Sequence, residues 1–355
     1  MKRNGKIDLL RFVFAIVIML HHLGMRTDLF DAFGLHFQVV SQRGGGFAVV
    51  FFFLVSGALL AKSTDKIVDS ADIPKVTTQY LWKKYKYFMT WYIPAFILNF
   101  VWDCMRESIS GGIKHSLYNI SGFFMMQYIG LNGGELYPNG FYVPASWYLS
   151  ALMICSLVLF PLILWKREIF IRIIAPLTSI ASLYVLLNYK NRFRIASGLW
   201  YPLAVMCAGC IAYELAKNIK NTEEIYRHGI TLRIAEAAIY LLTIVYISSD
   251  LQIEFEYPMF MLLTIAVAIS FSGGTDDSLL SHKIFSFLGR ASFPLYLFHE
   301  AISLIYIELL NKHGINHGYL SHIILYILCI VIAFLAQYVY DTIKKNKTQI
   351  KKVDA

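Results

Sequence analysis

Residues 7–25 read IDLLRFVFAIVIMLHHLGM. The run is long enough to cross a bilayer core, which takes about 20 residues of helix, yet it carries Asp8, Arg11, His21 and His22. It follows MKRNGK and so resembles the start of a secretory signal. Its length, Arg11 and the lack of a small-residue cleavage site mark it instead as a retained first helix. An ionisable side chain at the centre of a span costs about 2.5–3.5 kcal/mol on insertion scales, so these residues need a reason. Arg11 and His22 are eleven positions apart, and at about 100° per residue that makes three turns plus about 20°. They share one face, about 16 Å apart along the axis. His21 points roughly 80° away from that face, and Asp8, one turn before Arg11, is placed to pair with it. Two readings follow. In one, Arg11 snorkels to the inner interface and the histidines lie in the outer headgroup layer. In the other, Arg11 and His22 bracket an internal tunnel, an anion site at one end and a base at the other, because neutral imidazole suits proton abstraction near pH 7.

The rest of the chain sets the class. Of its 355 residues, 57% are hydrophobic and only 15% charged, against about 45–50% and about 25% in soluble domains. A soluble domain could neither bury that much apolar surface nor cover itself with so few charges. An ordinary soluble enzyme, a disordered chain and a nucleic-acid-binding domain are excluded, and the net charge of +9 has to be read against a bilayer. Ten apolar runs are expected to span it: 7–25, 47–61, 88–105, 146–165, 169–187, 199–216, 230–248, 255–272, 292–310 and 320–340. The second is short at its left edge, where Gly44, Gly45 and Gly46 interrupt the pattern. The Gly-flanked, half-apolar stretch 112–131 reads as an interfacial or re-entrant segment. With no internal repeat or appended domain, the expected fold is an all-α polytopic membrane protein, a bundle of about ten transmembrane helices. One integral-membrane domain covers 1–345 and a basic cytoplasmic tail covers 346–355.

Charge orients the bundle. With the N-terminus inside, 22 of the 32 Lys and Arg fall in inner segments and eight in outer loops, with Arg11 and Arg233 within spans. This asymmetry predicts both termini in the cytoplasm and a multi-pass protein of the cytoplasmic membrane. Lys190, Arg192 and Arg194 run against it, which either weakens the local topology or marks an outer anion site. The five cysteines lie in or near apolar runs. Cys207-Ala-Gly-Cys210 has zinc-like spacing but no second pair and no nearby His, so these are read as small residues at helix contacts, and no metal is expected.

The R-x10-H pattern of Arg11 and His22 resembles the signature of the membrane-bound acyltransferase 3 family, which includes O-antigen, capsule and other polysaccharide O-acyltransferases. Three further segments resemble that family in the same order: Phe51-Phe52-Phe53-Leu54-Val55-Ser56-Gly57, Ser146-Trp147-Tyr148-Leu149, and the stretch from Leu288-Gly289-Arg290 through Tyr296-Leu297-Phe298-His299-Glu300. There are departures. Where many members carry an Arg-rich run closing on Pro before the third helix, this chain has Lys83-Lys84-Tyr85-Lys86 with Pro94 downstream, and Lys offers point charges without the bidentate fork. Where many have Glu after the W-x-L segment, this chain has Ser150-Ala151-Leu152.

The resemblance implies an O-acyltransferase that moves an acyl group, acetyl in the first instance, from cytoplasmic acyl-CoA to a hydroxyl of a cell-surface glycan or its lipid-linked precursor. Acyl-CoA (acetyl-CoA) is then a donor substrate, membrane lipids surround the bundle, and neither metal nor nucleic acid is involved. His22 takes the acceptor's proton, or else carries the acyl group itself. Lys83, Lys84, Lys86 and Arg11 are candidate partners for the donor's phosphates, the three lysines equally reading as ordinary positive-inside charges. His299 and Glu300 are expected to line the tunnel or position helices, or else to form a buried hydrogen-bonded pair. His299-Glu300-Ala301-Ile302-Ser303 is not H-E-x-x-H, so a zinc-protease reading fails at the fifth position. Ser56, beside Gly57, reads as a close-packing position more than a nucleophile, and Trp147 as packing or a sugar platform. The competing class is a transporter or flippase, which would show pseudo-symmetric halves with paired broken helices; none is visible.

Overall fold

A bilayer core offers no water to backbone N–H and C=O groups, so a chain this apolar must satisfy them within helices. The computed structural model describes residues 4–24, 42–65, 67, 72–125, 142–189, 194–221, 224–248, 256–273, 279–315 and 318–353, and no strand occurs among them. The helices are α1 (Gly5–Gly24), α2 (Gln42–Thr64), α3 (Ile73–Arg106), α4 (Ile109–Tyr118), α5 (Trp147–Trp165), α6 (Arg167–Ile169), α7 (Ala175–Tyr189), α8 (Arg194–Asn221), α9 (Glu224–Ser248), α10 (Glu256–Ser272), α11 (Lys283–Lys312) and α12 (Tyr319–Val353). Among the described residues, six helices are long and apolar enough to cross a membrane, and α10 is a shorter apolar helix. Where it is described, each expected span lies on helix; that at 169–187 comprises α6 and α7 joined through a π-helical stretch, Phe170–Ile174.

Three boundaries differ from expectation. The glycines at 44–46 do not interrupt α2, which begins at Gln42 and runs through them; the backbone bonds of a continuing helix override their low propensity. The third helix is 34 residues long, about 51 Å at 1.5 Å per residue, so it extends beyond the bilayer core. It starts at an Asp72 cap whose side chain accepts from Lys75 N at 3.1 Å, and its early turns carry Lys83, Lys84 and Lys86. Of the stretch 112–131, residues through Met125 form α4 and a 3-10 turn, Ile120–Phe124, and the remainder lies outside the described residues. Ile109, Ile113 and Leu117 recur every four residues and are exposed, whereas His115 is buried. That gives α4 an apolar outer stripe suited to an interface.

Burial separates interior from periphery. The apolar windows of α2 and α11 are 72% and 67% buried, those of α9 and α12 only 22%. Alpha-helix α1 runs parallel to α11: Gly5 meets Leu280 and Asp8 meets Gly289 near their beginnings, and His22 meets Glu300 further along. A Cβ at Gly289 would lie 2.4 Å from Asp8 Cβ. Helices α2 and α8 cross just as closely, since a Cβ at Gly57 would lie 2.1 Å from Met206 O and one at Gly209 2.2 Å from Leu54 O. These are small-residue contacts, the usual source of association energy where lipid removes the hydrophobic drive.

Ion pairs pin the end expected to face the cytoplasm. Lys6 Nζ lies 2.6 Å from Glu236 Oε2, and Glu236 also accepts from Ser270. Arg167 bridges α2 and α8 through Asp65 and Glu214, each at 2.9 Å, and donates to Thr64 Oγ1 at 2.7 Å. Arg290 bonds Asp341 at 2.9 Å, joining α11 to α12. At the opposite end His115 Nδ1 lies 3.5 Å from Asp103 and its Nε2 lies 3.7 Å from Glu107, tying α4 to α3. There, burial pushes the Tyr142 phenol well above its usual range, opposed by its hydrogen bond with Ser116 and reinforced by Asp103. Lys190 and Arg192 lie outside the described residues.

The α2–α8 crossing generates a stability prediction. Gly57→Ala should destabilise the purified protein by about 1–3 kcal/mol, the usual cost of overpacking, read as a lower thermal midpoint in detergent. Gly318→Ala, whose Cβ would meet nothing within 4 Å, should leave that midpoint unchanged.

Candidate functional site

The shared face of Arg11 and His22 turns inward, toward α11. At the level of Arg11 lies a cavity of about 200 Å³, whose polar lining includes Arg11 on α1, Ser56 on α2, Lys84 on α3, Tyr148 on α5, and Ser292 and Tyr296 on α11. The rest of its wall is largely apolar, with Phe52, Phe88 and Phe293 among the lining residues. Ser56 Oγ lies 3.0 Å from Tyr148 OH. Tyr148 OH also donates to Phe52 O at 3.4 Å, and Tyr296 OH donates to Ala145 O at 3.1 Å. Lys84 Nζ donates to Ser156 Oγ at 3.0 Å and sits 5.1 Å from the centre of the Tyr80 ring. The expected pairing of Asp8 with Arg11 is absent: Asp8 is buried against Gly289, and among the described residues Arg11 makes no salt bridge. Two cations and no carboxylate line this chamber, so its field favours an anion.

About three turns further along α1 is a second polar cluster. His22 Nδ1 lies 3.3 Å from Glu300 Oε1, and His299 Nε2 lies 3.9 Å from the same oxygen. The His22 and His299 rings are 5.2 Å apart, and the His21 ring is 5.2 Å from that of His22. His299 is fully enclosed and Glu300 nearly so, whereas the His22 side chain is 39% exposed. The cluster therefore opens at His22. His299 Nδ1 faces Leu295 O at 3.2 Å; a ring nitrogen facing a carbonyl oxygen must carry the proton, which directs Nε2 toward Glu300. Tyr296 stands between the two levels, its ring 5.7 Å from Tyr148 and 6.4 Å from His299.

The other sequence candidates are distributed as follows. Of the three lysines only Lys84 lines the cavity; Lys83 and Lys86 are exposed, and Lys86 Nζ lies 5.1 Å over the Trp82 ring. Ser56 both lines the cavity and precedes the tightly packed Gly57. Trp147 stands beside Phe53, ring centres 6.1 Å apart, and is not among the cavity-lining residues. Sequence reasoning did not single out Tyr148 and Tyr296. The second had a signal: Tyr296, His299 and Glu300 fall at i, i+3 and i+4 and so share one helical face. Three residues that offer metal-ligating atoms within 4.8 Å of one another, His22, His299 and Glu300, also come together here.

The family model described as acyltransferase domain matches residues 4–340, so the chain belongs to that family and is a membrane acyltransferase. No curated protein and no solved structure gives a match.

A cation held in a bundle without a salt bridge does not stabilise the fold; it is a cost retained for another purpose. Arg11→Met should therefore leave the thermal midpoint of the purified protein equal or higher while acyl transfer falls. A marked drop in midpoint would make Arg11 a structural residue.

Proposed function

We propose that the protein transfers an acetyl or similar short acyl group from cytoplasmic acyl-CoA to a hydroxyl of a glycan or lipid-linked saccharide, with His22 as the general base. The observation that carries this reading is the His22–Glu300 contact of 3.3 Å on the same helix face as a cation-lined cavity. With Glu300 accepting from Nδ1–H, the Nε2 lone pair of His22 is directed away from the carboxylate and available for a proton. The buried carboxylate also steadies the imidazolium that forms.

The donor's length suits the separation of the two levels. Its phosphates are held near Arg11 and Lys84, whose charges face the cavity, and the thin pantetheine arm runs along the α1–α11 face past Tyr296 toward His22. The acceptor hydroxyl loses its proton to His22 as its oxygen attacks the thioester carbonyl. The tetrahedral intermediate then collapses with cleavage of the C–S bond, and the proton on His22 passes to the departing sulfur. An ester and free CoA result, and His22 returns neutral.

The test is transfer of labelled acetyl from acetyl-CoA to a glycan acceptor by the purified protein. His22→Ala should lower kcat by about 10²–10⁴-fold, the range for loss of a general base, while the protein stays folded. Glu300→Gln should lower kcat less. Lys84→Ala should raise the KM for acyl-CoA more than it lowers kcat, and Lys83→Ala and Lys86→Ala should leave that KM unchanged. Wild-type transfer by His22→Ala would overturn the base assignment. Movement of a saccharide across vesicles with no acyl-CoA consumed would favour a transporter.

A further inference from the structure

We infer that His22, His299 and Glu300 form a site for a divalent transition metal of the zinc class, and that the ion occupies it in competition with catalysis. The inference concerns binding, and only its inhibitory consequence rests on the base role proposed for His22. Two imidazoles and one carboxylate are a donor set used for zinc, with a further position left to water or substrate. Tetrahedral bonds of about 2.0–2.2 Å place neighbouring ligand atoms about 3.3–3.6 Å apart. His22 Nδ1 and Glu300 Oε1 already stand at 3.3 Å. His299 Nε2 is 3.9 Å from that oxygen, and all three ligand atoms lie within 4.8 Å of one another. A small rotation of the half-exposed His22 ring or of the Glu300 carboxylate closes the remainder.

Orientation supports the same reading. Ligating histidines characteristically donate their second ring nitrogen to a carbonyl or carboxylate, which fixes the ring. His299 does so through Nδ1 to Leu295 O at 3.2 Å, leaving Nε2 aimed at the cluster. The carboxylate lowers the charge of the occupied site to +1, and the exposure of His22 supplies both an entry path and an open coordination position.

Coordination and catalysis exclude one another on one ring. When Nδ1 of His22 binds a metal, its neutral ring carries the proton on Nε2, and no lone pair remains to take the acceptor's proton. Glu300, bound to the ion, no longer orients that ring. Occupancy therefore switches the enzyme off reversibly, and protons compete with the metal because its ligands must be deprotonated.

The experiment uses the full-length protein in detergent, freed of metal with EDTA and titrated with Co²⁺ and then Zn²⁺. One Co²⁺ per chain should give the visible bands of a four-coordinate ion, which Zn²⁺ displaces. Zn²⁺ should raise the thermal midpoint, as a ligand of the native state does, and should inhibit acetyl transfer until EDTA is added. His22→Ala, Glu300→Gln and the milder His299→Gln should each weaken binding about tenfold or more, and the Zn²⁺-dependent rise in midpoint should vanish with it. Folded variants that keep the Co²⁺ bands, or a wild-type protein without stoichiometric binding, would overturn the site. Stoichiometric binding with an undiminished transfer rate would overturn the inhibition. Binding in a protein that transfers no acyl group from any acyl-CoA would keep the site and overturn the donor assignment.

Discussion

The parallel contact of α1 with α11 is the constraint on which the functional arrangement depends. It is possible because Gly289 has no side chain where Asp8 lies: a Cβ there would stand 2.4 Å from Asp8 Cβ. That close approach sets the register of the two helices from one end of the bundle to the other. In that register Arg11 opens on the same cavity as Ser292, Tyr296 stands between the two levels, and His22 meets His299 and Glu300. Shifting either helix by one residue would rotate its polar face by about 100° and separate His22 from its carboxylate.

The ionisable residues divide by what surrounds them. Lys6, Arg167 and Arg290 are each satisfied by a carboxylate from another helix. These pairs join elements that apolar packing alone would leave free to slide. Arg11 belongs to the opposite class, a cation facing a largely apolar chamber without a salt bridge among the described residues. Such a group lowers stability in exchange for a field that favours an anionic ligand. The cluster around Glu300 lies between these extremes, since its buried carboxylate meets the His22 imidazole and stands beside His299, a grouping that can also offer ligand atoms to a metal.

Helix existence was legible from apolar run length, because a bilayer imposes a minimum length that a soluble core does not. Helix ends were less legible. The glycines at 44–46 suggested a break, but intrinsic propensity is a weak preference and α2 continues through them. The start of α3 at Ile73 depended on a local cap and a polar extension that hydropathy cannot register. Within the site, the alignment of Arg11 and His22 followed from arithmetic on a single helix. The pairing of Asp8 with Arg11, expected from the same arithmetic, gave way to packing of Asp8 against α11.

By itself the sequence determined the all-helical class, the ten apolar segments, the face shared by Arg11 and His22, and the family. The first three depend on composition or on periodicity within one segment, and the family on motifs that recur in order along the chain. Only the tertiary structure decided that Lys84, and not Lys83 or Lys86, reaches the cavity, that Tyr148 and Tyr296 line it, and that Glu300 and His299 meet His22. Those partners come from separate helices, far apart in the chain. Their meeting is set by which small residues let the backbones approach, a property of paired surfaces that no single helix carries.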